Sequence, residues 1–575
     1  MYGFLTERLD VFILAEWVIV AVFIWLALAR PETGSRLFSA IERYVSSIAS
    51  RPVRSLFVIG SLAILLRASI LPWAGSPYPH SWDDLSIYFQ AQTLASGRWA
   101  NPTHPFWEHF ETMYITHVPS YASMYFPGRG IAAALGLLIA DSAWIGVWFS
   151  VVLMCMATTW MLQAWVPLPF AFAGGLIVVL RYATFSHYIN GYTAAPTSAL
   201  GAMLVIGALP RILKNPSVGL GFLLGIGMAV LMITRPFEGM LVCVPVALVL
   251  LRQLFRARLN DASAMIAKVL VPSSAAVLVG GLILALSNQA VTGSATTTPY
   301  GWFRTLYAQA PALLISQPIV PIRGPEVTPP YFEEAIAKEA EPHIERTSPQ
   351  RIARNILGKT FHTWNYYIGA LLSVAFAAGL YHCRKNRFIV GSGVLYFAGF
   401  MLITWNFPQY TAPLLPLLMI LIMSGFWILR RLKIEGRPTG LFLTRAMISA
   451  SVLNLVLPVA ATIVEPRLLE TSGFYTHCCT TATTKTIKQL ATDDVLRHSA
   501  KALVLVKSRR EGPHHTKLVY NEPDIDKSPV VWAHSLGEAK DNKLMTYFAD
   551  RDVWEIEWKA EKPGYKLKLV ALPER

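Results

Sequence analysis

The chain has 575 residues, is 54% hydrophobic and only 15% charged, and carries a formal charge of +15. Soluble globular proteins carry about 25% charged residues, so a soluble enzyme is excluded, and many apolar runs reach the roughly 20 residues that a helix needs to cross a bilayer. The basic excess falls mostly in short loops between those runs, where the positive-inside bias puts it, so nucleic acid is not the partner it implies; anionic headgroups or a phosphate-bearing substrate could use the remainder.

The first apolar run, 11–29, is not a convincing signal peptide, because it is long, lacks a basic leader and ends at Arg30-Pro31. Further runs at about 55–73, 142–164, 167–186, 192–210, 217–234, 239–255, 267–288, 364–383, 388–405, 410–429 and 441–464 bring the expected spans to about twelve. The short stretch 130–140 reads as an interfacial or half-inserted helix. With that count, the Lys/Arg-bearing loops at 30–54, 211–214, 252–268, 384–387 and 430–437 fall on one side, expected to be cytoplasmic. The opposite side then holds three long segments: loops of about 74–128 and 289–363, and the tail 465–575.

In the first external loop, Ser81-Trp82-Asp83-Asp84 opens a stretch ending at Gly97, the pattern of a capping box and a glycine stop. An aromatic and His-rich run follows, including His104, Trp107, His109, Glu111, Tyr114 and Tyr125, which suits a layer at the membrane interface. The second loop is proline-rich from 311 to 330, then acidic from 331 to 345. It ends in a helix opened by Ser348-Pro349 and bearing Arg351, Arg354 and His362. In the tail, β-prone runs at 502–506, 517–520, 530–533 and 553–558, with a helical 543–548, predict a small α/β domain. Of the five cysteines, Cys478 and Cys479 are adjacent, poor spacing for a mutual disulfide, and no CxxC occurs.

Asp83 and Asp84 carry the strongest local signal. A carboxylate in an aromatic external loop can act as general base on an acceptor hydroxyl or amine. Acids are also simply favoured in a first helical turn. The cap suits Asp84 better and leaves Asp83 for chemistry. Arg235 and Glu238, at the junction of two spans, form either an ion pair or a forked phosphate site. His187, Tyr188 and Asn190 make a polar turn on the same side, read as substrate-facing or as ordinary interfacial residues. Arg351 and Arg354 meet either lipid headgroups or a lipid phosphate. Arg67 and Arg181 are explained by snorkelling; Glu16 has no evident partner. No Walker loop, GxGxxG, HExxH or GxSxG occurs in a credible context, so nucleotide-driven chemistry is unsupported.

Several stretches resemble the GT-C superfamily of membrane glycosyltransferases, which includes protein O-mannosyltransferases and lipid A aminoarabinose transferases. They are 82–88 (Trp-Asp-Asp-Leu-Ser-Ile-Tyr), 97–105, 125–130, 235–239 (Arg-Pro-Phe-Glu-Gly), 292–293 with 299–300, 410–413 and, in the tail, 519–521, 524–526 and 530–533. They are most similar to bacterial membrane proteins assigned to that superfamily. The chain departs at Asp84, where Asp-Glu is usual, at Arg129, where a neutral residue is expected, and at Thr193-Ala194-Ala195, where Trp-Gly-Gly is usual.

The resemblance implies a polytopic all-α membrane bundle over 1–464, of about 12 transmembrane helices, with a small α/β periplasmic domain over 465–575. It also implies an inverting transferase of the bacterial inner membrane, moving a sugar from a polyprenyl-phosphate donor to a glycan, lipid or protein acceptor at the outer face. In that reading Asp83 and Asp84 are the catalytic acids. Arg235, Arg351 and Arg354 hold the donor phosphate. His104, His109, Glu111, His187, Tyr188, Asn190 and Glu238 are substrate-site candidates. Some relatives use a divalent metal, for which no ligand set is visible here. The rival readings are a lipid-linked-glycan flippase, which needs a polar path through the bundle, and a non-catalytic envelope assembly protein.

Overall fold

A computed structural model describes residues 11–79, 81–308, 310–323, 336–337, 339–341, 343, 348–405, 407–464, 487–507, 518–559 and 564–570. Cys478, Cys479 and most of the acidic run 331–345 lie outside the described residues. The chain divides into two compact units. The first comprises Met1–Pro77, Trp144–Leu282 and Pro349–Thr480; the second comprises Tyr78–Ala143, Ile283–Ser348 and Thr481–Arg575.

The first unit is helical. Among the described residues of the chain, seven helices are long and apolar enough to cross a membrane: Pro52–Pro72, Ala143–Leu162, Ala195–Lys214, Pro236–Arg256, Leu259–Thr292, Gln409–Leu429 and Thr439–Ala460. The protein is thus a multi-pass membrane protein. Four more of the twelve expected runs form the shorter apolar helices Ile13–Ala29, Leu168–Tyr182, Val218–Thr234 and Arg387–Leu402. The last, 364–383, is not one straight span. Helices Pro349–Tyr367 and Gly369–Cys383 meet there at a 98° bend.

That bend has a physical cause. Gly369 sits at φ 63, a left-handed conformation that glycine adopts without strain. A Cβ there would lie 2.5 Å from a Glu16 carboxylate oxygen and 3.2 Å from an Arg181 nitrogen. Glu16 accepts the Leu371 amide at 2.9 Å, so an anion caps the N-terminus of the second helix. Arg181 donates to the carbonyls of Tyr366 (2.8 Å) and Asn365 (2.7 Å), so a cation caps the C-terminus of the first. Glu16 therefore has a partner, and Arg181 does more than snorkel. Arg67, fully buried, donates to the carbonyls of Thr184 and Gly75 and lies 5.0 Å over the Trp144 ring. Glu42 of helix Ser35–Ala49 takes a forked pair of bonds from Arg430 (2.8 and 2.9 Å), with Arg445 also bound. The helix Ser35–Ala49 and the segment at Arg430 and Arg445 are therefore adjacent.

The second unit is built on a four-stranded sheet in the order Val530–His534, Ala502–Val506, Asp552–Lys559, Gly564–Val570. The first three strands are parallel and the last antiparallel. Ala502–Val506 is buried throughout, as a parallel strand covered on both faces should be. Its period-two alternation sends Leu503 and Leu505, with Val531, Ala533 and Val553, to a core shared with Leu85, Phe89, Phe110, Ile115 and Tyr121. Ala502, Val504 and Val506, with Val530, Trp532 and Ile556, pack on Ala491, Val495, Leu518 and Val519. The first external loop thus supplies the cover of one sheet face, so tail and loop fold around one core. The expected strand at 517–520 is irregular at 518–520, and Gly564–Val570 is a strand that the alternation did not single out.

Candidate functional site

The acids expected to carry chemistry lie on helix Trp82–Ala95 in the second unit. Ser81 Oγ accepts the Asp84 amide at 3.0 Å, and Asp84 Oδ2 accepts the Ser81 amide at 3.3 Å, which closes the capping box. Asp83 stands one residue earlier, on a different face. Asp83, Ser86 and Gln90 are spaced i, i+3, i+7 and share that face. Each bonds to the segment 114–125: Asp83 accepts the Tyr125 hydroxyl, Ser86 donates to the Tyr114 carbonyl at 2.6 Å, and Gln90 donates to the Tyr125 carbonyl at 2.8 Å. Leu85 and Phe89 point to the sheet core. A Cβ at Gly130 would come within 2.7 Å of Gln90, so glycine lets helix Gly128–Ala140 approach this face.

Burial pushes the half-buried Asp83 carboxyl above the ordinary aspartate range, while the Tyr125 hydrogen bond and Arg129 pull it back. Burial also holds the Tyr125 phenol well above its usual value, so it remains a proton donor. The Arg129 guanidinium lies 4.3 Å over the Tyr125 ring. Around them stand Tyr114, 6.0 Å from Tyr125 and 5.9 Å from Phe303, and the ion pair Arg304–Glu339 at 2.9 Å. Phe126 and Tyr300 stack at 6.3 Å. A carboxylate flanked by aromatic faces and a cation can accept a proton and offers surfaces on which a polar molecule could stack.

Glu111 forms a second group of the same composition. Its carboxylate accepts the Tyr307 hydroxyl at 2.7 Å and lies 3.4 Å from Arg323, which stacks 4.4 Å over Trp107. Burial pushes Glu111 up to about 7 against those partners. At 1% exposed it is a buried acid rather than a surface ligand.

His104 and His109 join the loop to the tail. The His104 Nδ1 accepts the Phe106 amide at 3.0 Å, so its Nε2–H donates to Asp526 at 3.1 Å. His109 Nδ1–H donates to the His534 carbonyl at 2.8 Å.

The other expected residues lie in the first unit. Arg235, 3% exposed, joins helices Val218–Thr234 and Pro236–Arg256, bonds Glu238 at 2.8 Å and lies 4.7 Å from the Tyr410 ring. The ion-pair alternative is thus realised, with one guanidinium nitrogen committed to it. In the short helix His187–Asn190 all four residues are buried, and the Tyr188 hydroxyl meets that of Tyr367 at 2.6 Å. Arg351 is half-buried and Arg354 exposed on helix Pro349–Tyr367. Sequence reasoning did not single out Tyr307, Arg304, Arg323, Glu339 or His534. Tyr125 was visible as one aromatic among many and Arg129 as a departure from a pattern, both within the stretch 125–130, but neither with a role. Among the described residues, no three His, Cys, Asp or Glu side chains cluster to hold a metal ion.

No family model and no curated protein matches the chain. Solved structures do. ArnT from Cupriavidus metallidurans in the apo state superimposes with a TM-score of 0.50 over 87% of this chain and 92% of that one, at 12% identity. The fold is of the GT-C type. ArnT bound to undecaprenyl phosphate (TM-score 0.43, 12% identity, 87% and 89% covered) also matches. So does the archaeal oligosaccharyltransferase AglB from Archaeoglobus fulgidus, in complex with an inhibitory peptide and a dolichol-phosphate (0.43, 12%, 79% and 62%). These likenesses concern the fold.

Proposed function

We propose that the protein is an inverting glycosyltransferase of the bacterial inner membrane, taking its sugar from a polyprenyl-phosphate donor at the outer face. The observation that carries the reading is the Asp83 carboxyl: held by Tyr125, flanked by Arg129 and aromatic rings, and raised in pKa by burial, in a chain of GT-C fold. Asp83 takes the proton of the acceptor hydroxyl or amine as the new glycosidic bond forms. The bond to the donor phosphate breaks with its electron pair, so the phosphate leaves as an anion and its charge must be stabilised. Arg235 is assigned to that phosphate, with Arg351 and Arg354 as further candidates; because Arg235 is already paired, donor binding requires it to share its fork with Glu238. Asp84 serves the helix start.

The flippase reading gains no support from the buried charges. The buried Glu16, Arg67 and Lys359 and the half-buried Arg181 each bond to backbone groups, which gives them structural work. The test is transfer by purified protein in lipid, using undecaprenyl-phosphate-linked sugars and envelope glycan, lipid and protein fractions as acceptors. A product that needs the lipid-linked donor supports the reading. Translocation of the donor across the bilayer without transfer would replace it.

A further inference from the structure

The tail carries a buried histidine that the proposed chemistry does not use. His534 ends the edge strand Val530–His534 and is 4% exposed. Its Nε2 lies 3.0 Å from the Glu111 carbonyl oxygen, so that nitrogen carries a proton and donates it. In return, its own carbonyl accepts the His109 Nδ1–H at 2.8 Å. The two segments, more than 400 residues apart in sequence, thus grip each other reciprocally on either side of Phe110. The turn after the strand is fixed as well. Asp541 accepts Ser535 Oγ at 2.6 Å and the Leu536 amide at 2.8 Å, and its carboxylate stands 3.7 Å from His109.

From Glu111 the contacts run on to the acid. Its carboxylate takes the Tyr307 hydroxyl, and Tyr307 ends helix Pro299–Tyr307. One turn back, Phe303 lies 5.0 Å from Tyr307 and 5.9 Å from Tyr114. Tyr114 lies 6.0 Å from Tyr125, which holds Asp83. The same helix carries Arg304 and its ion pair with Glu339.

We infer that His534 is a positioning residue: through its bond to the Glu111 backbone it sets the Glu111–Tyr307 limb, and with it the aromatic wall beside Asp83. This assigns the tail the task of completing the loop that carries the acid. It rests on the reading above for its catalytic consequence, while the linkage itself stands on geometry. The bond is a donor–acceptor pair of neutral groups, since burial lowers the imidazole to about 3 and keeps it uncharged at working pH. Charge is therefore not what must be preserved at this position. An N–H donor at the Nε2 position is.

The test compares His534→Ala and His534→Gln in the full-length protein in lipid. The Gln amide offers an N–H near the place of Nε2; Ala offers none. Amide hydrogen exchange needs no substrate. In His534→Ala, exchange in 109–116 and in 299–307 should quicken by roughly tenfold or more, with the strand Ala502–Val506 protected as in the parent. In His534→Gln, both segments should return toward parental protection. In the transfer assay, His534→Ala should lower kcat by roughly ten- to a hundredfold at unchanged donor KM, and Gln should recover most of it. Unchanged exchange in 299–307 would overturn the linkage, and so would equal loss in Ala and Gln. A parent that transfers no sugar would remove the glycosyltransferase reading but leave the exchange result to decide whether His534 positions the limb.

Discussion

Tyr125 donates its phenolic hydrogen bond to the Asp83 carboxylate, and the Arg129 guanidinium lies over the same ring at 4.3 Å. Both partners favour the ionised acid, against burial, which disfavours it. Removing either partner should therefore raise the Asp83 pKa further. A base must be ionised to act, so activity should rise with pH through the Asp83 pKa. In Tyr125→Phe and Arg129→Gln the rising limb should move to higher pH, with turnover recovered at alkaline pH. A pH–rate profile checks this, and a limb that stays in place in both variants would separate Asp83 from the titration.

Glu111 should make the protein less stable as pH rises. Its folded pKa is pushed above the ordinary carboxylate value of about 4.5, to about 7, so the folded state binds more protons than the unfolded one between those values. Stability then falls across that window, by a few kcal/mol at most, roughly 1.4 per unit of pKa difference. Glu111→Gln keeps an acceptor for Tyr307 and cannot ionise. Melting curves from pH 4 to 8 should show a steeper decline in the parent than in Glu111→Gln. Parallel curves would mean that Tyr307 and Arg323 fully offset the burial cost.

The tail should not be well ordered when expressed alone. Leu503, Leu505, Val531 and Val553 take their cover from Leu85, Phe89, Phe110 and Tyr121 of the loop, and each large apolar side chain left uncovered forfeits roughly 1.5–3 kcal/mol. A fragment of residues 487–575 should give a poorly dispersed amide spectrum, improved by adding a peptide of 81–125. A well-dispersed spectrum from the fragment alone would show that the sheet is self-sufficient.

Much of this architecture was legible because it is local. Hydropathy marks the apolar runs, and Ser81 with Asp84 marks a helix start, since cap and acceptor lie three residues apart. What was not legible depends on partners far along the chain. The 98° bend looks like an unbroken apolar run because its caps, Glu16 and Arg181, come from other helices. Glu16 likewise reads as an orphan until Leu371 is seen 355 residues away. Around Asp83, sequence picks out the acid but not Tyr125, 42 residues on, as its hydrogen-bond donor. His534 carries no sequence signal at all, since a histidine at a strand end is ordinary and its partners, Glu111 and His109, lie more than 400 residues away.

Topology offers an independent check. Both termini are expected outside and the loops at 30–54, 252–266 and 384–387 inside, because that arrangement gathers the Lys/Arg loops on one side. Lys385 and Lys543 are both exposed, so single cysteines there are accessible from their own side. A membrane-impermeant thiol reagent applied from the outer face should label position 543 and not 385, and the reverse pattern would invert the assignment.

The most direct measurement is transfer by Asp83→Asn beside Asp84→Asn. Asn is nearly isosteric and still accepts the Tyr125 hydroxyl bond, so the fold should be kept and donor binding little changed. Turnover in Asp83→Asn should fall by roughly a hundredfold or more, the scale of lost general-base help. Asp84→Asn should mainly lower stability, by about 1 kcal/mol as for a weakened cap. Full activity in Asp83→Asn would contradict the mechanism, and a dead Asp84→Asn beside an active Asp83→Asn would move the chemistry to the capping acid.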